Sequence, residues 1–275
     1  MLNALSVDVE DLYQYLVIRL KNADIPPTDK VVEQVYATLS FLGRIGLKAT
    51  FFILGEVARQ YPQIVKDIMK DGHEIASHGY KHIYLDKLTP TQFKEDLTLS
   101  LRILEDITGQ KIKGYRAPGF SLSPSCTWAW DIMAEAGLIY SSSVSSTKFP
   151  NFDVPQRVAN GRLIEFPNTS IRKWGMKFNI SGGRFFRLFP LKLIISHFQQ
   201  LNEEGKPFLV YFHTHEMDKS ISIKFNLSLP KKVKAFFTVS AYNFRINKVP
   251  YSLPPLAKYF SFAPLEKVLE KLHLI

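Results

Sequence analysis

Short apolar runs that end on titratable residues alternate along this chain with stretches of helical periodicity, and few folds accommodate that alternation. Leu2 to Val9 reads as a buried strand running into Asp8, Glu10 and Asp11. KATFFIL, HEIAS, KIKGYRAP, the stretch Leu138 to Val144, RLIEFP and PFLVYFH read as further strands, the last ending on His213. Between the first two, Val31, Val32, Val35, Leu39 and Leu42 recur at helical spacing, with Thr28 as the expected cap. Glu56 to Lys70 reads as one helix, Thr89 to Thr108 as a helix capped by Thr89 with Pro90 at its first position, and Pro124 to Ala136 and Pro190 to Asn202 as two more. GGRFF reads as a turn or loop. Such alternation predicts an α/β fold with a parallel sheet, and closed parallel sheets carry their chemistry at the strands' C-terminal ends. Asp8, Glu10, Asp11, His78, His82, Arg116, His213 and His215 all fall there.

The chain has 275 residues, 46% of them apolar, enough to bury one large core, and no linker or repeat divides it. Cys126 is the single cysteine, cannot form an internal disulfide, and reads as a small buried hydrophobe. The start MLNALSVDVED lacks a basic, apolar and small-residue signal pattern, and no apolar run approaches the ~20 residues that span a bilayer, so a soluble or peripheral cytoplasmic protein is expected. Of the net charge of +10, +8 lies between Lys219 and Ile275, among Phe236, Phe237, Tyr242, Phe244, Tyr251, Tyr259, Phe260 and Phe262. That mixture suits an anionic membrane surface or a polyanionic glycan, and equally a solvated face over core aromatics. No helix-turn-helix, zinc-finger or RNA-binding signature accompanies it, which argues against nucleic acid. Leu265, Val268, Leu269 and Leu272 predict an amphipathic helix packed on the main body.

The histidines of SHGYKH, His78 and His82, stand at i and i+4, which on a helical turn would let both imidazoles reach one divalent ion. Asp8 and Glu10 share one side of an extended strand, and Asp11 points away unless the strand has ended. One carboxylate can complete a two-His, one-carboxylate site while the other takes a proton from metal-bound water, and Arg116 can keep that base ionised.

SVDVED, ATFFILG, GHEIASHGYKH, GYRAPGFSL, the Tyr140 to Ser143 segment, IEFPNTSIR, GGRFFRLFP and YFHTHE follow one another in this order. With them the chain resembles the polysaccharide deacetylases of carbohydrate esterase family 4, the NodB-homology fold, most closely the branch of exopolysaccharide export clusters. The likeness covers Leu2 to Asp218. It implies a distorted (β/α)7-type barrel over residues 1–218, with a basic aromatic extension, 219–275, packed on it. It also implies hydrolytic removal of N-acetyl groups from amino sugars of a bacterial polysaccharide or its precursor, with one divalent ion, zinc before cobalt or nickel. By resemblance Asp8 is the catalytic base, Arg116 its partner, His213 the general acid, and His78 and His82 metal ligands. Pro118, Phe120 and His215 are expected at the substrate, and His73 in a structural role. The family's second adjacent aspartate is Val9 here, so Glu10 is the expected third ligand, with Asp11 the alternative. Ser141 replaces the branch's Asp, and His213-Thr214-His215-Glu216 replaces His-Pro-Trp-Glu. A cyclic-ureide or imide hydrolase of the same superfamily, or an inactive glycan- or membrane-binding homologue, is the alternative reading.

Overall fold

A computed structural model describes residues 1–11, 13–14, 29–218 and 229–275. Its strands are β1 (Leu2–Val9), β2 (Thr50–Ile53), β3 (Glu74–Ser77), β4 (Gly114–Tyr115), β5 (Tyr140–Ser141), β6 (Gln156–Val158), β7 (Leu163–Glu165), β8 (Ser170–Lys173), β9 (Met176–Asn179), β10 (Leu209–His213) and β11 (Ser261–Ala263). Among the described residues the main sheet runs β10-β1-β2-β3-β4-β5-β7-β6. All of its pairings are parallel except β6 on β7. The sheet curls into an incomplete barrel with helices outside it. Where β7 and β10 do not pair, the connecting chain closes the seam. Tyr211 N donates to Ser181 O at 2.9 Å and Leu209 N to Thr169 Oγ1 at 2.8 Å.

Side chains alternate across this sheet. On β1, Leu5, Val7 and Val9 join the large core under the outer helices, while Ala4 joins a second cluster with Phe52, Ala76, Tyr140, Leu209 and Tyr211 inside the curl. The helix Leu265–Lys271 fills the curl from the end opposite the strand tips, burying Leu265, Val268 and Leu269 in the same cluster. The expected C-terminal amphipathic helix therefore packs on the barrel, and β11 beside it pairs with β1.

Two local expectations are corrected, and one unassigned stretch gains a structure. Glu56 to Lys70 is two helices, Gly55–Gln60 and Pro62–Lys70, because Pro62 has no N–H to donate and Tyr61 before it leaves the helical region at φ −130°, ψ 62°. The GGRFF turn is instead the start of a helix, Gly183–Leu188, which buries Phe186 completely. Residues 170–179, which carry no clear alternation, form the β8–β9 hairpin. The helix Pro90–Thr108 begins with the expected Thr89 cap, closed as a capping box with Gln92. The helix after β1 spans Val31–Arg44, and the Thr28 cap lies outside the described residues.

Candidate metal and acid–base site

The period of two along β1 puts Ser6 and Asp8 on the inner face, and Asp8 stands in register with His213 of β10. Glu10 follows just past the strand end, and both carboxylates are buried. His78 directly follows β3, but the path from His78 to His82 is a loop rather than the helical turn expected. Gly79 sits at φ +81°, outside the right-handed helical region. Tyr80 N and Lys81 N donate to the Asp96 carboxylate at 2.8 and 3.0 Å. A Cβ at position 79 would lie 2.8 Å from Asp96 Oδ2, so glycine is needed there for space as well as for backbone conformation. The loop nonetheless brings the two imidazoles to 5.5 Å between ring centres.

Glu10, His78 and His82 converge, each offering a ligand atom within 4.8 Å of the others. The carbonyl of Arg116 accepts from His78 Nδ1 at 2.8 Å, which leaves the lone pair of the neutral ring on Nε2, facing Glu10 Oε2 at 3.9 Å. His82 Nε2 lies 2.7 Å from the same oxygen. Burial alone would raise the Glu10 pKa, but the charge and hydrogen bond of His82, with His213 and His215, hold it well below the usual carboxylate range. Burial pushes His78 down to about 4, which keeps its ring neutral. Asp11 is engaged elsewhere: its two oxygens accept from Tyr13 N at 3.0 Å and Asp29 N at 3.1 Å. His73 is also apart from the cluster, its Nδ1 accepting from Ala49 N at 3.2 Å and its ring edge-on to Phe51.

Two charge pairs flank the cluster. Arg116, fully buried, donates from Nη1 to Asp8 Oδ1 at 2.7 Å and to Ser6 Oγ at 2.9 Å, and from Nη2 to Ser142 Oγ at 3.1 Å. Its guanidinium lies 4.0 Å from the centre of the Phe52 ring and 4.8 Å from that of Phe120, so its unpaired face is covered by aromatic surface. Across the cleft, His213 Nδ1 is 2.8 Å from Glu216 Oε1, and Glu216 Oε2 pairs with Arg187 at 2.9 Å. Nε2 of His213 then faces Asp8 at 4.0 Å and Glu10 at 3.7 Å. Burial by itself would lower the His213 pKa, yet the Glu216 hydrogen bond and the charges of Glu10, Glu216 and Asp8 push it up to about 9. Burial opposes ionisation of Glu216 too, but Arg187 and His213 bring it down to about 2.

Glu216, Arg187 and Asp96 escaped sequence reasoning. Glu216 had a usable signal, since His213 and Glu216 stand three apart in YFHTHE and the turn Thr214–Met217 folds one back on the other. Arg187 and Asp96 had none, because each arrives from a helix distant in sequence. At Ser141, where the resemblance places an aspartate, a buried carboxylate comes from across the sheet. Glu165 is in register with Ser141 and accepts from Ser143 N at 2.6 Å, Val144 N at 2.8 Å and Trp130 Nε1 at 3.0 Å. Of the three residues expected at the substrate, Phe120 lines the cleft, whereas Pro118 and His215 do not. His215 is wholly buried because the turn that begins at His213 folds it inward, where its ring stacks on that of His213 at 4.9 Å. The cleft has a volume of ≈ 630 Å³ and opens over Asp8, Glu10, His78, His82 and His213, with Tyr84, Lys148 and Asn168 on its walls.

Residues 24–140 match the family model for polysaccharide deacetylase, and residues 139–270 match a domain of unknown function, DUF3473. The chain carries a polysaccharide deacetylase domain. The domain is 34% identical over 107 residues to a Bacillus cereus peptidoglycan-N-acetylglucosamine deacetylase, a match that covers 38% of this chain and 36% of that protein. The chain thus spans about a third of the length of that curated relative. A Mycobacterium smegmatis crystal structure described as a polysaccharide deacetylase superposes with a TM-score of 0.63 at 18% identity, over 98% of this chain and 89% of the other. A crystal structure of an allantoinase gives the same TM-score, 0.63, at 14% identity and the same coverage, 98% and 89%. Both share the deacetylase domain's fold. His78 and His82 lie within the polysaccharide deacetylase match, and Glu165, Arg187, His213 and Glu216 within the DUF3473 match, so the site draws on both halves of the chain.

Proposed function

We propose that this protein is a metal-dependent N-deacetylase that acts on an N-acetylated amino sugar of a bacterial surface polysaccharide or its precursor. The observation that carries the reading is the convergence of Glu10, His78 and His82 between two oppositely arranged charge pairs, Asp8 with Arg116 and His213 with Glu216. Two imidazoles and one carboxylate form a donor set suited to zinc, with cobalt or nickel as substitutes. The set fits an ion because His78 presents Nε2 while Nδ1 is tied to a carbonyl, and because Glu10 Oε2 is buried with no hydrogen bond beyond its contact with His82. A divalent ion in such a site polarises an amide carbonyl and acidifies a bound water.

The chain's own residues supply the proton transfers. Asp8, fixed in place by its 2.7 Å hydrogen bond from the buried Arg116, accepts the proton of the attacking water. His213, oriented through Nδ1 by Glu216, donates from Nε2 to the departing amine nitrogen, so that acetate and a free amino sugar are released. Phe120 and Tyr84 present ring surface to the sugar, and Lys148 and Asn168 present polar groups. Acetate release from N-acetylated oligosaccharides by the purified, metal-loaded protein tests the reading. Asp8→Asn and His78→Ala should abolish release without unfolding the protein. Release at the wild-type rate by either variant, or by a metal-free preparation, would reject the reading.

A further inference from the structure

The helix Leu229–Asn243 stands at the mouth of the cleft, lining it with Thr238 and Ala241, and Phe244 follows on the same wall. Three of its large apolar side chains and the Phe244 that follows it stand out from the core: Val233 is 51% exposed, Phe236 67%, Phe237 66% and Phe244 51%. Positions 233, 237, 241 and 244 fall on one face of a helix, so an apolar stripe begins in the cleft and runs outward over the surface. Leu188, 52% exposed, adds to the stripe at the cleft rim.

The same stretch is one-sided in charge. Between Asp218 and Glu266 the chain has no acidic residue and eight Lys and Arg, three of them Lys231, Lys232 and Lys234 within the helix. A second copy would set this positive charge against itself. A soluble polyanion would satisfy the lysines and leave the phenylalanines in water. An acidic bilayer takes both the exposed aromatic side chains, at the acyl boundary, and the positive charge of the stretch. We propose that this helix docks the protein on an anionic phospholipid surface, with the cleft mouth turned toward the membrane. Among the described residues no helix is long and apolar enough to cross a membrane. That the glycan entering the cleft is drawn from the membrane surface rests on the deacetylase reading; the docking itself does not.

The test is co-sedimentation of the full chain with vesicles of phosphatidylcholine alone and of phosphatidylcholine mixed with phosphatidylglycerol, read without turnover. Binding should require the anionic lipid, fall as salt rises, and weaken roughly ten-fold or more in Phe236→Ser/Phe237→Ser. That variant should keep its thermal midpoint and its acetate release from a short soluble substrate, since neither side chain is buried or in the site. Failure to bind anionic vesicles at low salt would overturn the proposal, as would equal binding by the double variant. So would a concentration-dependent dimer lost in the variant without any vesicle binding, which would assign the stripe to a second copy.

Discussion

Glu216 Oε1 lies 2.8 Å from His213 Nδ1, and its other oxygen is anchored by Arg187 at 2.9 Å. A carboxylate fixed at both ends holds the imidazole in one orientation with Nε2 turned to the cleft. Glu216→Gln should therefore lower kcat by about 10–100-fold with little change in KM, and His213→Ala by roughly 10²–10⁴-fold. The double variant should be no worse than His213→Ala, because both act through one imidazole. Steady-state acetate release checks this, and additive losses would show that Glu216 acts by another route.

The Glu10, His78 and His82 cluster predicts one divalent ion per chain, measurable by elemental analysis. Removing the ion should lower the thermal midpoint, since an ion bound at about 100 times its Kd contributes about 2.7 kcal/mol. Glu10→Gln and His78→Ala should lose the ion and the added stability, whereas Asp11→Asn should keep both. Loss of the ion in Asp11→Asn alone would move the third ligand from Glu10 to Asp11.

Arg116 and Asp8 form a buried pair, and the two ways of breaking it are unequal. Arg116→Met strands a carboxylate away from water and should cost roughly 3–5 kcal/mol in denaturant unfolding. Asp8→Asn keeps an oxygen that accepts from the guanidinium and should cost less. Equal costs would mean that the guanidinium is held by its serine and aromatic contacts instead.

Gly79 meets Asp96 where a side chain would begin. Gly79→Ala should cost about 1–3 kcal/mol through the left-handed backbone and should weaken metal affinity, because the strained loop carries His82. Isothermal titration with zinc reads the second effect, and unchanged affinity would separate the loop from the metal.

Burial pushes the pKa of Glu74 up to about 7, although the Thr50 and Tyr140 hydroxyls donate to its carboxylate. A carboxyl whose pKa is higher folded than unfolded holds its proton more tightly in the native state. Its contribution to stability is therefore most favourable below pH ~4.5 and is lost as pH rises toward 7. Because the residue is only part-buried, the change is on the order of 1–3 kcal/mol. Denaturant unfolding of wild type against Glu74→Gln should show the wild type losing ground across that window. A pH-independent difference would place Glu74 in the ionised form throughout.

Much of the site was legible in the sequence, because strand tips of a parallel sheet concentrate chemistry and their polar residues interrupt otherwise apolar runs. Asp8 ending β1, His78 following β3 and His213 ending β10 could be found that way, and order along the chain tied Arg116 to them. The choice of Glu10 in the cluster and Asp11 in the loop needed the backbone, since one residue past a strand end the alternation of sides no longer applies. His78 and His82 show the limit from the other side. Their spacing suggested a helical turn, and they do converge, but through a glycine loop held by a carboxylate on a remote helix. Arg187, Asp96 and Glu165 act on the site across long sequence separations, and no local pattern marks such partners. Residue types and their order determined the chemistry available to this chain; only tertiary packing decided which carboxylate meets which imidazole, because that depends on register and loop path rather than on spacing.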